Sequence, residues 1–225
     1  MAADATYEGT RARVEDYFDR TATKTWEALT SDAPVSRIRA TVRAGRDRMR
    51  ALMLSRLPAD LTGLRVLDAG CGTGMATAEL AARGARVMAV DISPSLVGIA
   101  RKRLPEHLHD RVEFASGDML DPALGAFDHV IAMDSLIYYT AQDIGARLND
   151  LGPRVTGKVV FTVAPRTPFL MTFFTVGKLF PRADRSPVMI PHALRTLARH
   201  VPGKLSEVGR ITSGFYISSC LEHVR

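Results

Sequence analysis

The sequence contains little cysteine and no long apolar run. Only two of its 225 residues are cysteines, Cys71 and Cys220, and no metal-ligand spacing is present. A disulfide is therefore not expected, and a reducing compartment is the default. Because no stretch of about 20 apolar residues occurs, we expect no helix that spans a membrane. The N-terminal residues lack an apolar core of the signal-peptide type, which favours a cytoplasmic location.

Acidic residues are outnumbered by basic ones. The 30 Lys and Arg residues against 24 Asp and Glu give a formal net charge of +6. Such a balance favours an anionic partner: a nucleic acid, an anionic membrane surface or a carboxylate substrate. A basic surface that is merely solvated explains the same charge. With 46% hydrophobic residues, the chain can form one large domain, or a domain with an added arm.

One stretch, from Leu64 to Asp91, has the pattern of a nucleotide-binding βαβ unit. A short apolar strand leads into a turn with three glycines, and a helix and a second strand follow. Glycine allows a tight turn and close approach of a ligand, while the start of the helix exposes unpaired N–H groups. Asp91 stands about 20 residues after the turn, where a carboxylate can accept ribose hydroxyls. The apolar positions of the helix are Met75, Ala78, Leu80 and Ala81.

The residues of the turn distinguish between nucleotides. The G-x-G-x-x-G register of dinucleotide-binding proteins is absent, and the string reads D-A-G-C-G-T-G. The carboxylate of Asp68 would repel a pyrophosphate but attract a sulfonium or ammonium group. The string resembles motif I of the class I S-adenosylmethionine-dependent methyltransferases. A glycine turn in some other α/β protein is the alternative.

The segments after Asp91 predict further strands with polar residues at their ends. Ser93 is expected to cap the next helix, with Pro94 at its first position. In class I methyltransferases an acidic residue after the third strand holds the adenine amino group, and Asp118 matches; an ordinary turn aspartate is the alternative. The fourth strand should end beside the cofactor, at the carboxyl edge of the sheet. It would bring four residues near the reacting methyl group: Asp134, Ser135, Tyr138 and Tyr139.

Two segments outside the βαβ pattern are candidates for contact with a substrate. A helix from about Pro34 is expected to bury an apolar stripe made of Ile38, Val42, Met49, Leu52 and Met53. Its arginines form either a solvated basic face or a surface that binds acidic groups. After a strand at Lys158–Val163, the string T-P-F-L-M-T-F-F-T-V-G-K-L-F-P is either a core helix, a cover for a large flat substrate or a membrane contact. A short helix over His192–Val201 and a closing hairpin, Lys204–Ile211 with Phe215–Val224, complete the chain.

Three strings outside the glycine turn carry a more specific resemblance. They are Y-F-D-R-T-A-T-K-T-W from Tyr17 to Trp26, R-I-R-A-T-V-R-A-G-R from Arg37 to Arg46, and D-S-L-I-Y-Y-T from Asp134 to Thr140. On these strings essentially the whole chain resembles the magnesium-protoporphyrin IX methyltransferases of (bacterio)chlorophyll synthesis, in particular the bacterial branch. Relatives in oxygenic organisms have L-I-H-Y-P and R-x-G-H at the corresponding places. Tyr138 and Arg46 therefore stand where those relatives have histidines.

The resemblance implies a Rossmann-like class I methyltransferase fold. We expect a seven-stranded, mostly parallel sheet with helices on both faces and an N-terminal helical arm. The arm would be residues 1–58 and the methyltransferase domain residues 59–225, with residues 160–203 as a substrate-covering insertion. The implied reaction moves a methyl group from S-adenosyl-L-methionine to a propionate of Mg-protoporphyrin IX, giving the monomethyl ester and S-adenosyl-L-homocysteine. The magnesium belongs to the substrate, so we expect no metal bound by the protein.

The resemblance also implies roles for particular residues. Tyr138 or Tyr139 would orient the propionate by hydrogen bonding. The predicted cofactor-binding residues are Asp68, Gly70, Cys71, Gly72, Gly74, Asp91, Ile92, Ser93, Gly117, Asp118, Met119, Met133, Asp134, Tyr17 and Trp26. The predicted substrate-binding residues are Tyr17, Phe18, Arg39, Arg43, Arg46, Phe169 and Phe173, and Lys24 would lie near the arm's aromatic residues. Magnesium chelatase is the implied partner, and peripheral contact with a photosynthetic membrane is implied by the poorly soluble substrate.

Other functions fit parts of the same sequence. The chain could methylate another small acid or a quinone. Its charge would suit an RNA-binding methyltransferase homologue, but it lacks the N-P-P-Y string of amine-methylating enzymes and any module with stacked aromatic residues, so no nucleic acid is expected. A cofactor-sensing or scaffold protein without activity is the remaining alternative, and an intact cofactor site argues against it.

Overall fold

The computed structural model describes residues 7–19, 27, 30, 36–168, 170–172 and 187–225. The predictions for Lys24, Trp26, Phe169 and Phe173 fall outside these residues. The strands are β1 (Arg65–Ala69), β2 (Arg86–Asp91), β3 (Val112–Ser116), β4 (His129–Ala132), β5 (Val159–Val163), β6 (Lys204–Ser213) and β7 (Tyr216–Val224). The α-helices are α1 (Tyr7–Tyr17), α2 (Arg37–Leu54), α3 (Met75–Ala82), α4 (Pro94–Arg103), α5 (Ala141–Leu151) and α6 (Leu194–Leu197).

The seven strands form one sheet in the order β3-β2-β1-β4-β5-β7-β6. The first five strands are parallel, and β7 runs antiparallel to both β5 and β6. The chain reverses its direction of sheet growth between β3 and β4, and ligands of open α/β sheets bind at such a switch point, beyond the carboxyl ends of the strands. The predicted seven-stranded, mostly parallel sheet is confirmed.

Helices cover both faces of the sheet because successive residues of a strand point to opposite sides. On one face Val66, Ile131 and Val160 pack in a core that includes residues of α2, α3 and α4. On the other face Val130 and Phe161 pack in a second core with residues of α5 and α6. Strands buried on both faces read as continuous apolar runs, which is how the central strands appear in the sequence. No helix in the described part of the chain is both long and apolar enough to cross a bilayer.

Helix α2 lies against the β6–β7 hairpin at a close approach. A Cβ added to Gly45 would meet the Tyr216 ring at 2.7 Å, so glycine is what allows this contact. Ser36 caps the helix, and Ser213 Oγ donates to the carbonyl oxygen of Thr41 at 2.8 Å. The prediction that Ile38 is buried is wrong, because the first turn of the helix extends past the hairpin and leaves Ile38 57% exposed.

Most local predictions agree with the structure. Ser93 Oγ accepts from Leu96 N at 3.3 Å and Pro94 is the first residue of α4, which confirms the predicted cap. Met75 is an exception: it is 38% exposed and borders a cavity, while Ala76 and Thr77 are buried in its place. Helix α6 spans only Leu194–Leu197, shorter than the predicted 192–201, because the residues after it form a turn.

Candidate active site

The glycine turn between β1 and α3 requires glycine at all three predicted positions. Gly70, Gly72 and Gly74 have φ values of +81°, +55° and +81°, which residues with a Cβ rarely adopt. The backbone N–H groups of Gly70 and Cys71 donate to the carbonyl oxygen of Val90 at 2.8 and 3.0 Å. The turn is therefore fastened to the end of β2.

Two buried carboxylates lie beneath this turn. Asp91 accepts hydrogen bonds from the backbone N–H groups of Gly72 at 2.8 Å and Ser93 at 3.0 Å. Asp68 accepts from the Thr77 hydroxyl at 2.6 Å. Burial raises the pKa of Asp68 to about 6, against which the Thr77 hydrogen bond acts only partly. Burial also raises the pKa of Asp91, although its backbone hydrogen bonds oppose the shift. A cation above the turn would stabilise the charged form of both carboxylates.

A large open cavity lies over the turn. It encloses about 1330 Å³, including the space at its mouth. The ends of β1, β2 and β4 form one side, and α1 and α2 form the other. Many predicted site residues line it: Asp68, Gly70, Cys71, Gly72, Asp91, Ile92, Gly117, Asp118, Met119, Met133, Asp134, Phe18, Arg43, Arg46, Tyr138 and Tyr139.

Four predicted site residues do not line this cavity, as far as the described residues show. Gly74 begins α3 and packs against Ala100, where an added Cβ would come within 2.9 Å of the alanine Cβ. Ser93 caps α4 from a buried position. Arg39 is exposed in the first turn of α2, and the ring of Tyr17 contacts Phe18 edge to face at 5.2 Å.

Helix α1 contributes residues that the sequence analysis did not name. Tyr7 Oη donates to Asp118 Oδ1 at 2.9 Å, and Arg11 Nη1 donates to Asp118 Oδ2 at 3.1 Å. The Tyr7 ring stacks on Tyr139 at 4.8 Å between centroids. Tyr7, Arg11 and the buried Val14 recur at helical spacing, and this periodicity was the sequence signal for a single inward face.

Helix α2 presents charged residues to the cavity at positions 43, 46, 47 and 50, which lie on one face. Arg46 forms an ion pair with Asp134, whose side chain is only 9% exposed. Arg50 bridges Asp47, at 2.9 Å, and Glu79. The arginine-rich helix is therefore held over the cavity by two carboxylates outside it, Asp134 after β4 and Glu79 on α3.

The two predicted catalytic tyrosines have different surroundings. Tyr138 is half-buried, and its ring meets Phe18 edge to face at 6.1 Å. Burial, and then the charge of Asp134, raise the pKa of Tyr138. Tyr139 is buried under Tyr7, and burial raises its pKa as well. Both hydroxyls keep their protons at neutral pH, so each can donate a hydrogen bond but neither acts as a base.

The open space and the carboxylates around it fit an adenosyl compound with a cationic sulfur. A Cβ added to Gly72 or Gly117 would meet nothing within 4 Å, so a ligand can approach the backbone at both places. Asp91 and Asp118 supply carboxylates for hydroxyl and amino groups, and Asp68 adds negative potential below the turn. Within the described ranges no group of three or more His, Cys, Asp or Glu side chains is arranged to hold a metal ion.

Comparison with known proteins shows a relationship to magnesium-protoporphyrin methyltransferases over nearly the whole chain. Residues 132–225 match the family model described as the C-terminus of magnesium-protoporphyrin IX methyltransferase, and residues 66–152 match a methyltransferase domain model. The chain is 63% identical to the magnesium-protoporphyrin O-methyltransferase of Rhodobacter capsulatus, over 96% of this chain and 97% of that protein. It is 30% identical to the Synechocystis protein of the same name, over 94% of this chain and 95% of that one.

A solved structure agrees with these relatives. The magnesium protoporphyrin IX methyltransferase of Synechocystis, crystallised with bound SAH, superimposes with a TM-score of 0.77 at 29% identity, over 96% of this chain and 99% of that one. The class I fold and the S-adenosylmethionine-dependent enzyme class predicted from the sequence are thereby confirmed. The chain belongs to the magnesium-protoporphyrin O-methyltransferase family.

Proposed function

We propose that the chain transfers the methyl group of S-adenosyl-L-methionine to a propionate carboxylate of Mg-protoporphyrin IX, in (bacterio)chlorophyll synthesis. One observation supports this most directly: a single cavity joins the glycine turn and its buried carboxylates to the arginine-bearing face of α2. A cationic cofactor and an anionic substrate are attracted to opposite sides of the same space. The product is the monomethyl ester, with S-adenosyl-L-homocysteine as the second product.

The chemistry makes modest demands on the protein. A propionate has a pKa near that of Glu, about 4.3, so its oxygen is already a nucleophile at neutral pH and needs no general base. S-adenosylmethionine supplies a methyl group on a positively charged sulfur. The protein has to align the carboxylate oxygen with this methyl group and exclude water. Neutral tyrosines and paired arginines suit that task.

We assign cofactor contacts to the residues around the turn. Asp91 would hold the ribose hydroxyls, because each oxygen of its carboxylate can accept a hydrogen bond besides those from the backbone. Asp118 would hold the adenine amino group. The remaining assigned contacts are Asp68, Gly70, Cys71, Gly72, Ile92, Gly117, Met119 and Met133. Arg43 and Arg46 would bind carboxylates, and Phe18 would lie against the macrocycle.

An esterification assay tests the proposed reaction. Purified protein is incubated with S-adenosylmethionine carrying a labelled methyl group and with Mg-protoporphyrin IX, and label in the extracted porphyrin is measured. Metal-free protoporphyrin is the control for the requirement for magnesium. Label in the monomethyl ester is the expected result. Label only when a quinone or another small acid is supplied would contradict the proposal.

Tyr138 is the residue we assign to orienting the propionate, because it lines the cavity and the charges of Asp134 and Arg46 act on its hydroxyl. Tyr138→Phe should lower kcat about tenfold, which corresponds to one hydrogen bond to a charged group. Tyr139→Phe is the matched variant, since Tyr139 packs against Tyr7 and should matter less for the rate. Equal effects of the two variants on kcat would contradict this assignment.

We also propose peripheral binding to an anionic membrane surface. Ile38 and Phe215 are 57% and 61% exposed. Ile38 lies one helical turn before Thr41, which Gly214 approaches closely, and it is flanked in sequence by the exposed Arg37 and Arg39. Exposed apolar residues among arginines suit a surface of anionic lipids. Flotation with phosphatidylglycerol vesicles, but not with phosphatidylcholine vesicles, is expected. An Ile38→Ser, Phe215→Ser double variant that floats as well as the wild type would contradict the surface.

Two further proposals rest on the family resemblance. One is that magnesium chelatase delivers the substrate, and the other is that the protein resides in the cytoplasm with part of it on the photosynthetic membrane. Copurification with the chelatase from membranes tests the first, and fractionation of cells tests the second. The arm at residues 1–58 and the substrate-covering insertion at 160–203 likewise stay proposals; the first residues of the latter range lie in β5.

A further inference from the structure

Asp134 has an unusual backbone and an unusually complete set of partners. Its φ is +55°, and within the described residues no other non-glycine residue has a positive φ. It is the second residue after β4 and lines the cavity. Aspartate tolerates this region better than most residues, yet backbone strain of this kind persists only where surrounding contacts hold it in place.

The contacts that hold Asp134 come from three separate elements. From β5, Thr162 Oγ1 accepts from Asp134 N at 2.7 Å and donates to Asp134 Oδ1 at 3.1 Å. From β7, the Tyr216 hydroxyl donates to Asp134 Oδ1 at 3.1 Å. From α2, Arg46 pairs with Asp134 Oδ2. Both oxygens of the carboxylate are thus engaged by the protein itself.

We propose that Asp134 is a positioning residue that fixes the guanidinium of Arg46 in the cavity as the anchor for a substrate carboxylate. This inference rests on the proposed function. A bare Asp134 would repel an anionic propionate, so the arginine has to stand between the two carboxylates. A guanidinium has five N–H donors in a planar fork, so pairing with Asp134 is compatible with binding a second carboxylate.

Holding the arginine in advance lowers the cost of binding. A mobile arginine loses rotamer freedom when it binds, whereas Arg46 is already held, with a side chain only 18% exposed. Tyr216 and Thr162 orient the carboxylate of Asp134, and this carboxylate in turn orients Arg46. The sequence predicts a cofactor contact for Asp134 instead. The two roles make opposite predictions about which ligand binds more weakly when Asp134 is substituted.

The test measures binding of each ligand separately, without turnover. Asp134→Asn should raise the Kd of Mg-protoporphyrin, followed by its Soret band, about tenfold, the loss expected for a hydrogen bond to a charged group. The Kd of S-adenosylhomocysteine, from calorimetry, should change less than about twofold. Tyr216→Phe, which leaves both charges in place, should raise the porphyrin Kd about threefold, because it loses a single hydrogen bond.

A substrate without carboxylates separates positioning from a general structural defect. Mg-protoporphyrin dimethyl ester cannot pair with Arg46, so Asp134→Asn should leave its Kd unchanged. In an Arg46→Lys background the Asp134→Asn change should cost little more for the free acid, because the two residues act as a unit. Glu222→Gln is the matched control. Glu222 lies on β7, pairs with Arg56 at 3.0 Å and does not line the cavity.

Two outcomes would overturn the inference. Weaker binding of S-adenosylhomocysteine by Asp134→Asn, with porphyrin binding intact, would assign Asp134 to the cofactor. Equal losses for the free acid and the dimethyl ester would make it a structural residue only. Wild-type protein that binds S-adenosylhomocysteine but shows no Soret change with Mg-protoporphyrin would instead overturn the proposed function, which is a distinct result.

Discussion

The two sides of the cavity are built in different ways. The turn wall, which comprises the glycine turn with Asp68 and Asp91, is joined by hydrogen bonds between residues 2 to 20 positions apart. The helix wall, which comprises the cavity faces of α1 and α2, is fastened to other elements by bonds that span 29 to 111 positions. One wall is made by local sequence, and the other requires the folded sheet before it can form.

The two walls also differ in the chemical groups that form them. The turn wall consists of backbone with positive φ and of buried carboxylates, so a change there disturbs the fold itself. The helix wall consists of side-chain pairs, of which some are partly exposed, such as Arg11 with Asp118, at 38% and 16%. Partly exposed pairs contribute little to stability, so a change there should affect ligands more than folding.

The largest expected effect is the replacement of a glycine in the turn wall. In Gly70→Ala the new Cβ would overlap Ser135 Cβ and lie 3.0 Å from its Oγ, at a φ of +81°. Backbone strain and overpacking together should lower the free energy of unfolding by about 3 kcal/mol, measured by urea denaturation.

Gly63→Ala is the matched control for this variant. Gly63 has the same φ of +81°, but a Cβ there would meet nothing within 4 Å. It should show only the backbone strain, about 1 kcal/mol. If both variants lost the same stability, the close approach of Gly70 to Ser135 would not matter and the turn wall would be no tighter than a surface turn.

The next effect concerns Asp68, one of the two buried carboxylates of the turn wall. The pKa of Asp68 is about 6 in the folded protein against 3.8 as the reference value. Because the folded state keeps a proton that the unfolded chain has lost, stability should fall as pH rises from about 4 to 6. The difference corresponds to about 3 kcal/mol over that range, an upper limit for a relaxed site. Asp68→Asn should remove most of this decline when unfolding is measured at each pH, and the raised pKa of Asp91 accounts for the remainder.

Asp60→Asn provides a control of opposite sign. Hydrogen bonds from Thr62 lower the pKa of Asp60, so its contribution to stability is present at higher pH and lost as pH falls. The decline between pH 4 and 6 should therefore persist in this variant. A decline of undiminished size in Asp68→Asn would mean that Asp68 is ionised in the folded protein.

The contrast between the walls also explains what the sequence could predict. The turn, its two carboxylates and the cap at Ser93 follow from residues that are close in sequence and chemically distinctive. Glycine at positive φ and an acid at the end of a strand leave few alternatives. The sheet order follows from the family resemblance together with the alternation of apolar strands and helices.

The helix wall could be predicted only in part. The pairing of Arg46 with Asp134, and the hydroxyl that Tyr216 adds, depend on where α2 meets the hairpin, which no local pattern specifies. The exposed Ile38 shows the same limit, because periodicity gives the apolar face of a helix but not how far the neighbouring element extends along it. Tyr7 and Arg11 had a periodic signal on α1, but their partner Asp118 lies more than 100 residues away.

The smallest effects are expected where α1 meets the helix wall. Tyr7→Phe keeps the stacking on Tyr139 but loses the hydrogen bond to Asp118, and it should lower the free energy of unfolding by about 1 kcal/mol. Arg11→Gln removes a pair whose arginine is 38% exposed and should cost about 0.5 kcal/mol or less. Urea denaturation gives both values, and faster limited proteolysis near α1 should accompany the larger one. If Tyr7→Phe destabilised the protein as much as Gly70→Ala, α1 would belong to the folding core. The distinction between a turn wall made by local sequence and a helix wall that requires the folded sheet would then fail.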